Sequence, residues 1–345
     1  MSKSLKICPY PFSKYVLGYA GTYVPCCAGW LNEHYRRLDP GTNLWNGPAA
    51  LELRRRILQN DYSLCNRAAC QVPLVEVGES VPDAKEHTET PLDPKTIREI
   101  RKGVTQLSRG PTSVELSLDL RCNLKCPTCR DRLITHLSPS LQANVDHEIA
   151  EVWRYRKHLE VVKMSGTAEV FFSPDQRKLL KMFNRDDFPK LRHISILTNG
   201  LLMNERNWHA LTPGTDLIRD VSISIDAGDA ETYAITRGGH WDTLLKNLDW
   251  ISEKRQRQEI YWLQLMFVAR KANYRSMPAT VELARRIRAD RVRFIPYHRW
   301  PHVTAEAYQS EAIHFPDHPD YEAFRSMGHE LSKDPLVVFG FELNP

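Results

Sequence analysis

Residues Arg121–Arg130 read RCNLKCPTCR and set Cys122, Cys126 and Cys129 in the spacing Cys-x3-Cys-x2-Cys. Three thiolates in one short loop hold three irons of a 4Fe-4S cube and leave the fourth iron without a protein ligand. An iron left open in this way can take a substrate or cofactor, whereas a fourth cysteine would close it. Zinc sites also use closely spaced cysteines, so context has to decide between the two.

The context begins with VELSLDL, Val114 to Leu120, which alternates apolar and polar residues and predicts a strand ending just before the loop. The cysteines therefore fall past the C-terminal end of a strand, where (β/α) barrels place their chemistry. Strand patterns recur in VVKMSG from Val161, HISILT from His193, VSISID from Val221, YWLQLMFVA from Tyr261 and RVRFIPY from Arg291. Helical patterns start near Val145, Ser173, Asn204, His240 and Met277 and separate them. Repeated alternation of this kind predicts an α/β fold with a parallel sheet, in the form of a partial six-stranded (β/α) barrel. A doubly wound nucleotide-binding sheet is disfavoured, because no Gly-x-Gly-x-x-Gly follows a strand.

Taken together, the loop and the strand tails resemble the radical SAM superfamily. The segment GTAEVFFS, Gly166 to Ser173, is similar to that family's glycine-rich acidic segment, with Ala168 in place of a glycine and Glu169 as the acid. The tails TNG (Thr198 to Gly200), SISID (Ser222 to Asp226), AITRGG (Ala234 to Gly239) and FVARKAN (Phe267 to Asn273) follow in the family's order. The resemblance spans residues 112–300. It implies a 4Fe-4S cluster on Cys122, Cys126 and Cys129 whose open iron binds S-adenosylmethionine, with Glu169, Asn199, Ser224 and Arg237 against that cofactor. Reductive cleavage would then release a 5'-deoxyadenosyl radical.

All five remaining cysteines, Cys8, Cys26, Cys27, Cys65 and Cys70, precede residue 71. Their spacing resembles a reduced SPASM or twitch domain placed ahead of the barrel. That resemblance implies a second, auxiliary 4Fe-4S cluster on Cys8, Cys26, Cys65 and Cys70. Cys27 competes with Cys26 as ligand, and whichever is left is a candidate hydrogen donor, here assigned to Cys27. A tetrahedral zinc site on the same four cysteines is the alternative. The expected organisation is an auxiliary domain over 1–74, a polar linker and short helix over 75–111, the barrel over 112–300 and a cap over 301–345.

With 345 residues, 42% of them hydrophobic, the chain can bury one large core and a small satellite. Residues 1–74 carry nine Lys and Arg against four Asp and Glu, which accounts for the whole net charge of +5. The run Arg54–Arg56 is expected to lie partly on a solvated helix face, and His298, His302, His314 and His318 are expected at the surface. No signal peptide and no membrane span is read, which predicts a cytoplasmic protein. No aromatic-basic pattern suggests nucleic acid.

The expected function is hydrogen abstraction from a small sugar-like or polyol-like molecule, giving epimerisation or dehydrogenation, with flavodoxin or ferredoxin as electron donor. A maturase acting on a precursor peptide is the runner-up. A zinc-stabilised binding protein without radical chemistry is a third reading.

Overall fold

The computed structural model describes residues 6–18, 22–24, 26, 31, 44–66, 70, 74–77, 92–166 and 168–343. Cys27 and most of the expected linker lie outside these residues. The chain divides into two compact units. The first comprises Met1–Leu120, Leu137–Ala168 and Lys181–Ser195, and the second Arg121–His136, Glu169–Leu180 and Ile196–Pro345.

In the first unit, β1 (Lys6–Ile7) pairs antiparallel with β4 (Val75–Glu76). Its main sheet is built on β5 (Ser113–Ser117), which runs parallel to β2 (Lys14–Gly18) on one side and to β6 (Val161–Met164) on the other. β3 (Thr22–Val24) pairs antiparallel with β2 and ends the order. β2 and β3 thus extend the same sheet as β5.

The alternation read in VELSLDL is the reason for β5's two faces. Val114, Leu116 and Leu118 are buried on one side, while Glu115 on the other meets Lys14 at 2.7 Å, Lys163 at 3.6 Å and the Ser165 hydroxyl at 2.9 Å. Burial alone would raise the Glu115 pKa, but Lys163 and Lys14 outweigh it and hold the carboxyl at about 2.

Two helices in this unit start where the chain supplies both a side-chain cap and a proline in the first turn, where a missing N–H costs nothing. Asp93 accepts from the Lys95 and Thr96 amides ahead of Pro94–Arg101, and Ser138 accepts from Leu141 ahead of Pro139–Arg154. On the helix Pro48–Leu58 the arginine run is only partly solvated: Arg55 is exposed, Arg56 half-buried and Arg54 fully buried. Its guanidinium donates to the carbonyls of Pro11 (2.6 Å), Trp45 (2.9 Å) and Thr105 (3.0 Å) and to Asn46 Oδ1 (2.9 Å), and it lies 4.3 Å from the Trp45 ring centre. A cation satisfied on every side can stay in a core; burial still lowers its pKa to about 10.

β7 (His193–Thr198) begins in the first unit and ends in the second. The second unit continues with β8 (Ile218–Ser224), β9 (Trp262–Ala269), β10 (Arg291–Pro296) and β11 (Val337–Phe339), parallel neighbours in that order. The helices Trp241–Gln256 and Met277–Arg286 form the connections between successive strands. Each unit's order ends on a strand with one neighbour only, β3 in the first and β11 in the second, so neither closes. The mostly parallel α/β architecture and the open sheet agree with the sequence reading.

One face of β8–β10 is sealed by Ile223, Leu263, Leu265, Phe267, Val292 and Phe294, all fully buried. The opposite face carries Ser222, Ser224, Gln264, Met266, Arg291 and Arg293, each partly exposed. Period-two alternation puts these two sets on opposite sides.

The C-terminal segment forms the helices Ala305–Glu311 and Tyr321–Leu331 before β11 joins the sheet edge. His298 and His302 are exposed as expected, but His318 is buried, bonded to the Ser310 carbonyl and the Asp320 amide. His314 is half-buried with its ring 4.3 Å from Phe315, and burial lowers its pKa to about 4. No helix among the described residues is long and apolar enough to cross a membrane.

Candidate cofactor site at the three-cysteine loop

The loop that carries the cysteines belongs to the second unit. It is closed at its base by the Cys122 amide donating to Ile134 O at 3.0 Å. A tight turn follows, in which the amides of Cys129 and Arg130 both donate to Cys126 O, at 2.9 and 3.1 Å. Cys122 and Cys126 are buried and Cys129 is half-buried.

Each sulfur faces a donor. Cys122 Sγ accepts from the Leu124 amide at 3.4 Å and lies 3.7 Å from Asn199 Nδ2; Cys126 Sγ lies 3.5 Å from Arg237 Nη1; Cys129 Sγ lies 3.4 Å from Arg130 Nη2. Burial raises the Cys122 thiol to about 11, with Glu169 adding to the effect. Burial also raises Cys126, while Arg237 works in the opposite direction.

Glu169 is buried, and both of its carboxylate oxygens accept hydrogen bonds. One carboxylate oxygen accepts from the Thr198 hydroxyl at 2.6 Å and the Phe171 amide at 3.3 Å; the other accepts from the Asn199 amide at 2.7 Å. Burial raises its pKa and these bonds oppose the rise. The Glu169 amide donates to Arg121 O at 2.9 Å, which ties the acid to the cysteine loop. Asn199 completes the link: its Nδ2 donates to Asn123 Oδ1 at 2.9 Å and its Oδ1 accepts from Leu201 at 3.0 Å. Gly200 turns the chain there with φ +79°, and a Cβ would come within 2.8 Å of Leu244 Cδ1. In the first unit, Gly166 has φ +102°, whereas Ala168 has no positive φ and so suits alanine.

Arg237 reaches the site from the end of the helix Ala230–Thr236, which Asp229 caps at the Thr232 amide. Its Nε forms an ion pair with Asp226 Oδ2 at 2.9 Å. Asp226 sits at φ +54° just past β8, and its Oδ1 accepts from the Val268 amide at 2.7 Å. Burial works against the Arg237 charge, but Asp226 and then Cys126 outweigh it and keep the guanidinium protonated.

Of the residues expected at the cofactor, the structure thus brings Glu169, Asn199 and Arg237 to the loop. Ser224 closes β8 two residues before Asp226 and bonds to none of these groups. Sequence reading missed Asn123, Arg130 and the pairing of Asp226 with Arg237; the signal for the last was SISID ending in an acid.

Cys8 and Cys26 are buried and Cys65 and Cys70 half-buried, all in the first unit and none in a disulfide. Cys65 bridges to Leu31, and its amide donates to Tyr62 O at 2.9 Å. No three His, Cys, Asp or Glu among the described residues are grouped as ligands of one metal ion. A four-iron cube is larger than an ion, and its thiolates stand farther apart. The donor set of the loop fits such a cube: three sulfurs, each beside an N–H group, two of them beside guanidinium groups that would offset the negative charge of a thiolate-ligated cluster.

Residues 117–284 match the Radical SAM superfamily. A nucleotide dehydratase, the S-adenosylmethionine-dependent RSAD2 of Oncorhynchus mykiss, is 25% identical over 189 residues, half of each chain. The GTP 3',8-cyclase of Corynebacterium glutamicum (strain R) is 29% identical over 156 residues, 42% of this chain and 39% of the other. A probable GTP 3',8-cyclase of Methanosarcina mazei is 30% identical over 152 residues, 41% of each. The chain therefore spans half or less of the length of these curated relatives. Among solved structures, Streptococcus suis SuiB bound to S-adenosylmethionine is similar over 74% of this chain and 57% of that one, at 16% identity and TM-score 0.47. Residues 117–284 are a domain of the radical SAM superfamily.

Proposed function

We propose that this chain is a radical SAM enzyme that holds a 4Fe-4S cluster on Cys122, Cys126 and Cys129 and abstracts a hydrogen atom from a small, sugar-bearing molecule. The carrying observation is the loop itself: three thiols, each beside a donor, and no further cysteine anywhere after residue 129 to close the set. The bound cluster and S-adenosylmethionine would together supply a 5'-deoxyadenosyl radical.

The chain's own residues prepare that site. Arg237 and Arg130 place positive charge beside two of the sulfurs, which would offset the negative charge of a bound cluster. Glu169 holds the Thr198–Asn199 turn and offers a carboxylate to the ammonium group of S-adenosylmethionine. The oxygen that binds Asn199 takes one described hydrogen bond and has lone-pair capacity to spare. Asp226 fixes Arg237 so that its guanidinium does not swing away from Cys126.

A small molecule is preferred to a peptide because the curated relatives are named for nucleotides: a nucleotide dehydratase and GTP cyclases. A nucleotide carries a sugar, which agrees with the sugar-like or polyol-like substrate expected from the sequence. An auxiliary cluster on Cys8, Cys26, Cys65 and Cys70 would take an electron from the substrate radical in a dehydrogenation. A free Cys27 would return a hydrogen atom in an epimerisation. Flavodoxin or ferredoxin would supply the first electron.

Anaerobic reconstitution with iron and sulfide, followed by reduction in the presence of S-adenosylmethionine, tests the reading. It requires 5'-deoxyadenosine and methionine as products. A preparation that takes up only zinc excludes it.

A further inference from the structure

The partly exposed face of β8–β10 is polar in a pattern that the cofactor site does not explain. Register sets its residues in rows across the strands: Ser222, Gln264 and Arg291 form one, and Ser224, Met266 and Arg293 the next towards the strand ends. Asp226, the partner of Arg237, lies two residues beyond Ser224. The second row therefore runs just below the end of the sheet where Arg237 meets Cys126.

The cations along these strands are engaged, with one exception. Arg219 donates to the carbonyls of Asp216 and Ile218. Arg270 pairs with Glu311 at 2.9 Å and lies over the Tyr297 ring. Arg291 lies 4.8 Å from the Trp262 ring centre. Arg293 has no hydrogen bond and no ion pair among the described residues, and its Nε is shut off from solvent without a partner. Its residue as a whole nevertheless stays partly exposed, on the open face.

An unsatisfied buried donor on a charged group is costly, and a bound ligand is one way in which a folded protein completes it. A guanidinium is a planar fork of five donors that matches the two oxygens of a phosphate or a carboxylate. Arg293 is two strands across from Ser224, about 10 Å at the usual strand spacing. A small molecule with an anionic group at one end spans that interval and places its other end near the Cys126 side.

Resting on the reading above that the enzyme acts on a small sugar-bearing molecule, we propose that Arg293 anchors an anionic oxygen group of that substrate, a phosphate ester or a carboxylate. Gln264 and Ser222, already bonded to one another at 2.7 Å, lie one row deeper on the same face and make it polar below the anchor. The substrate class is then a phosphorylated or acidic sugar-like molecule, not a neutral polyol.

The test compares apparent melting midpoints of the reconstituted full chain in chloride, inorganic phosphate and malonate at equal ionic strength and one scan rate. Wild type and Arg293→Met are measured side by side, so that general salt effects cancel. The wild-type midpoint rises in phosphate, in malonate or in both by about 2 °C more than that of Arg293→Met. A phosphate-only difference assigns a phosphate ester and a malonate-only difference a carboxylate. In chloride, Arg293→Met melts no lower than wild type, because an unpartnered guanidinium contributes no bond to lose.

Equal anion responses in the two proteins overturn the proposal. So does a variant that melts well below wild type in chloride, which would make Arg293 a structural residue. Arg293→Gln repeats the comparison with a polar side chain, and failure of both variants to fold counts against the anchor. Wild type that cleaves S-adenosylmethionine without an Arg293-dependent anion response leaves the radical reading standing and removes only this inference. The converse result removes the radical reading and leaves the anchor.

Discussion

Arg237 Nη1 stands 3.5 Å from the sulfur of Cys126, although 111 residues separate them in the chain. The same guanidinium pairs through Nε with Asp226 at 2.9 Å; Asp226 is buried and the Arg237 side chain is 11% exposed. A buried cation is thereby delivered from the end of β8 to a loop that follows a different strand.

Breaking one side of that pair leaves a buried charge without a partner. Arg237→Gln is expected to destabilise the protein by about 3–5 kcal/mol. Adding Asp226→Asn removes the orphaned charge and recovers a large part of the loss. Denaturant unfolding of the two single variants and the double variant measures the coupling. Additive losses would mean that the two residues act independently.

Glu169 serves structure and charge at once, and two substitutions separate them. Glu169→Ala removes the acceptor of the Thr198 hydroxyl and the Asn199 amide and is expected to cost about 1–3 kcal/mol for each buried donor left bare. Glu169→Gln keeps one carbonyl oxygen and much of the packing but loses the charge. It is expected to weaken binding of S-adenosylmethionine about tenfold or more, as for a lost charge-assisted bond. Equilibrium binding of the cofactor is the readout. Normal affinity in Glu169→Gln would remove Glu169 as the partner of the ammonium group.

Glu115 gives the protein an acid-sensitive element. Lys163 and Lys14 lower its pKa from 4.5 to about 2 against the opposing effect of burial. A carboxyl depressed in the folded state contributes stability above its unfolded pKa and loses it as pH falls through the folded value. Between about pH 6 and pH 3, wild type should lose about 2 kcal/mol more than Glu115→Gln. Urea unfolding at the two pH values provides the comparison. Parallel losses in both proteins would assign the acid sensitivity elsewhere.

The proposed auxiliary cluster is separable by iron content. Reconstituted wild type should carry about eight irons and the Cys122→Ala, Cys126→Ala, Cys129→Ala triple variant about four, one cube each. Single Ala variants at Cys26 and Cys27 then identify the ligand, since only its loss costs the second set of irons. Four irons in wild type and none in the triple variant would leave the N-terminal cysteines without a cluster.

Much of this was legible in the residues because local patterns carried it. Period-two alternation marked β5, apolar strand-like runs marked β6 to β10, and the cysteine spacing marked the loop. That Arg54 is the one of the run to leave the solvated face was not legible, because its helix pattern is locally polar. What buries it are carbonyls from Pro11, Trp45 and Thr105, which no local window contains. His318 was misread because the fold of its own segment, which spacing does not specify, brings it to the Ser310 carbonyl of the helix Ala305–Glu311 and to the Asp320 amide. β2 and β3 lie among the N-terminal cysteines, where the cysteine spacing and not a strand pattern was read. The pairing of Asp226 with Arg237 depends on a positive φ and a helix end, which a sequence motif hints at without fixing.

Reductive cleavage of S-adenosylmethionine by the reconstituted protein tests the central claim most directly. With dithionite or reduced flavodoxin, wild type should produce 5'-deoxyadenosine and methionine, and the triple alanine variant at Cys122, Cys126 and Cys129 should produce neither. Wild type that holds a 4Fe-4S cluster at the loop yet yields no 5'-deoxyadenosine under reduction would contradict the account.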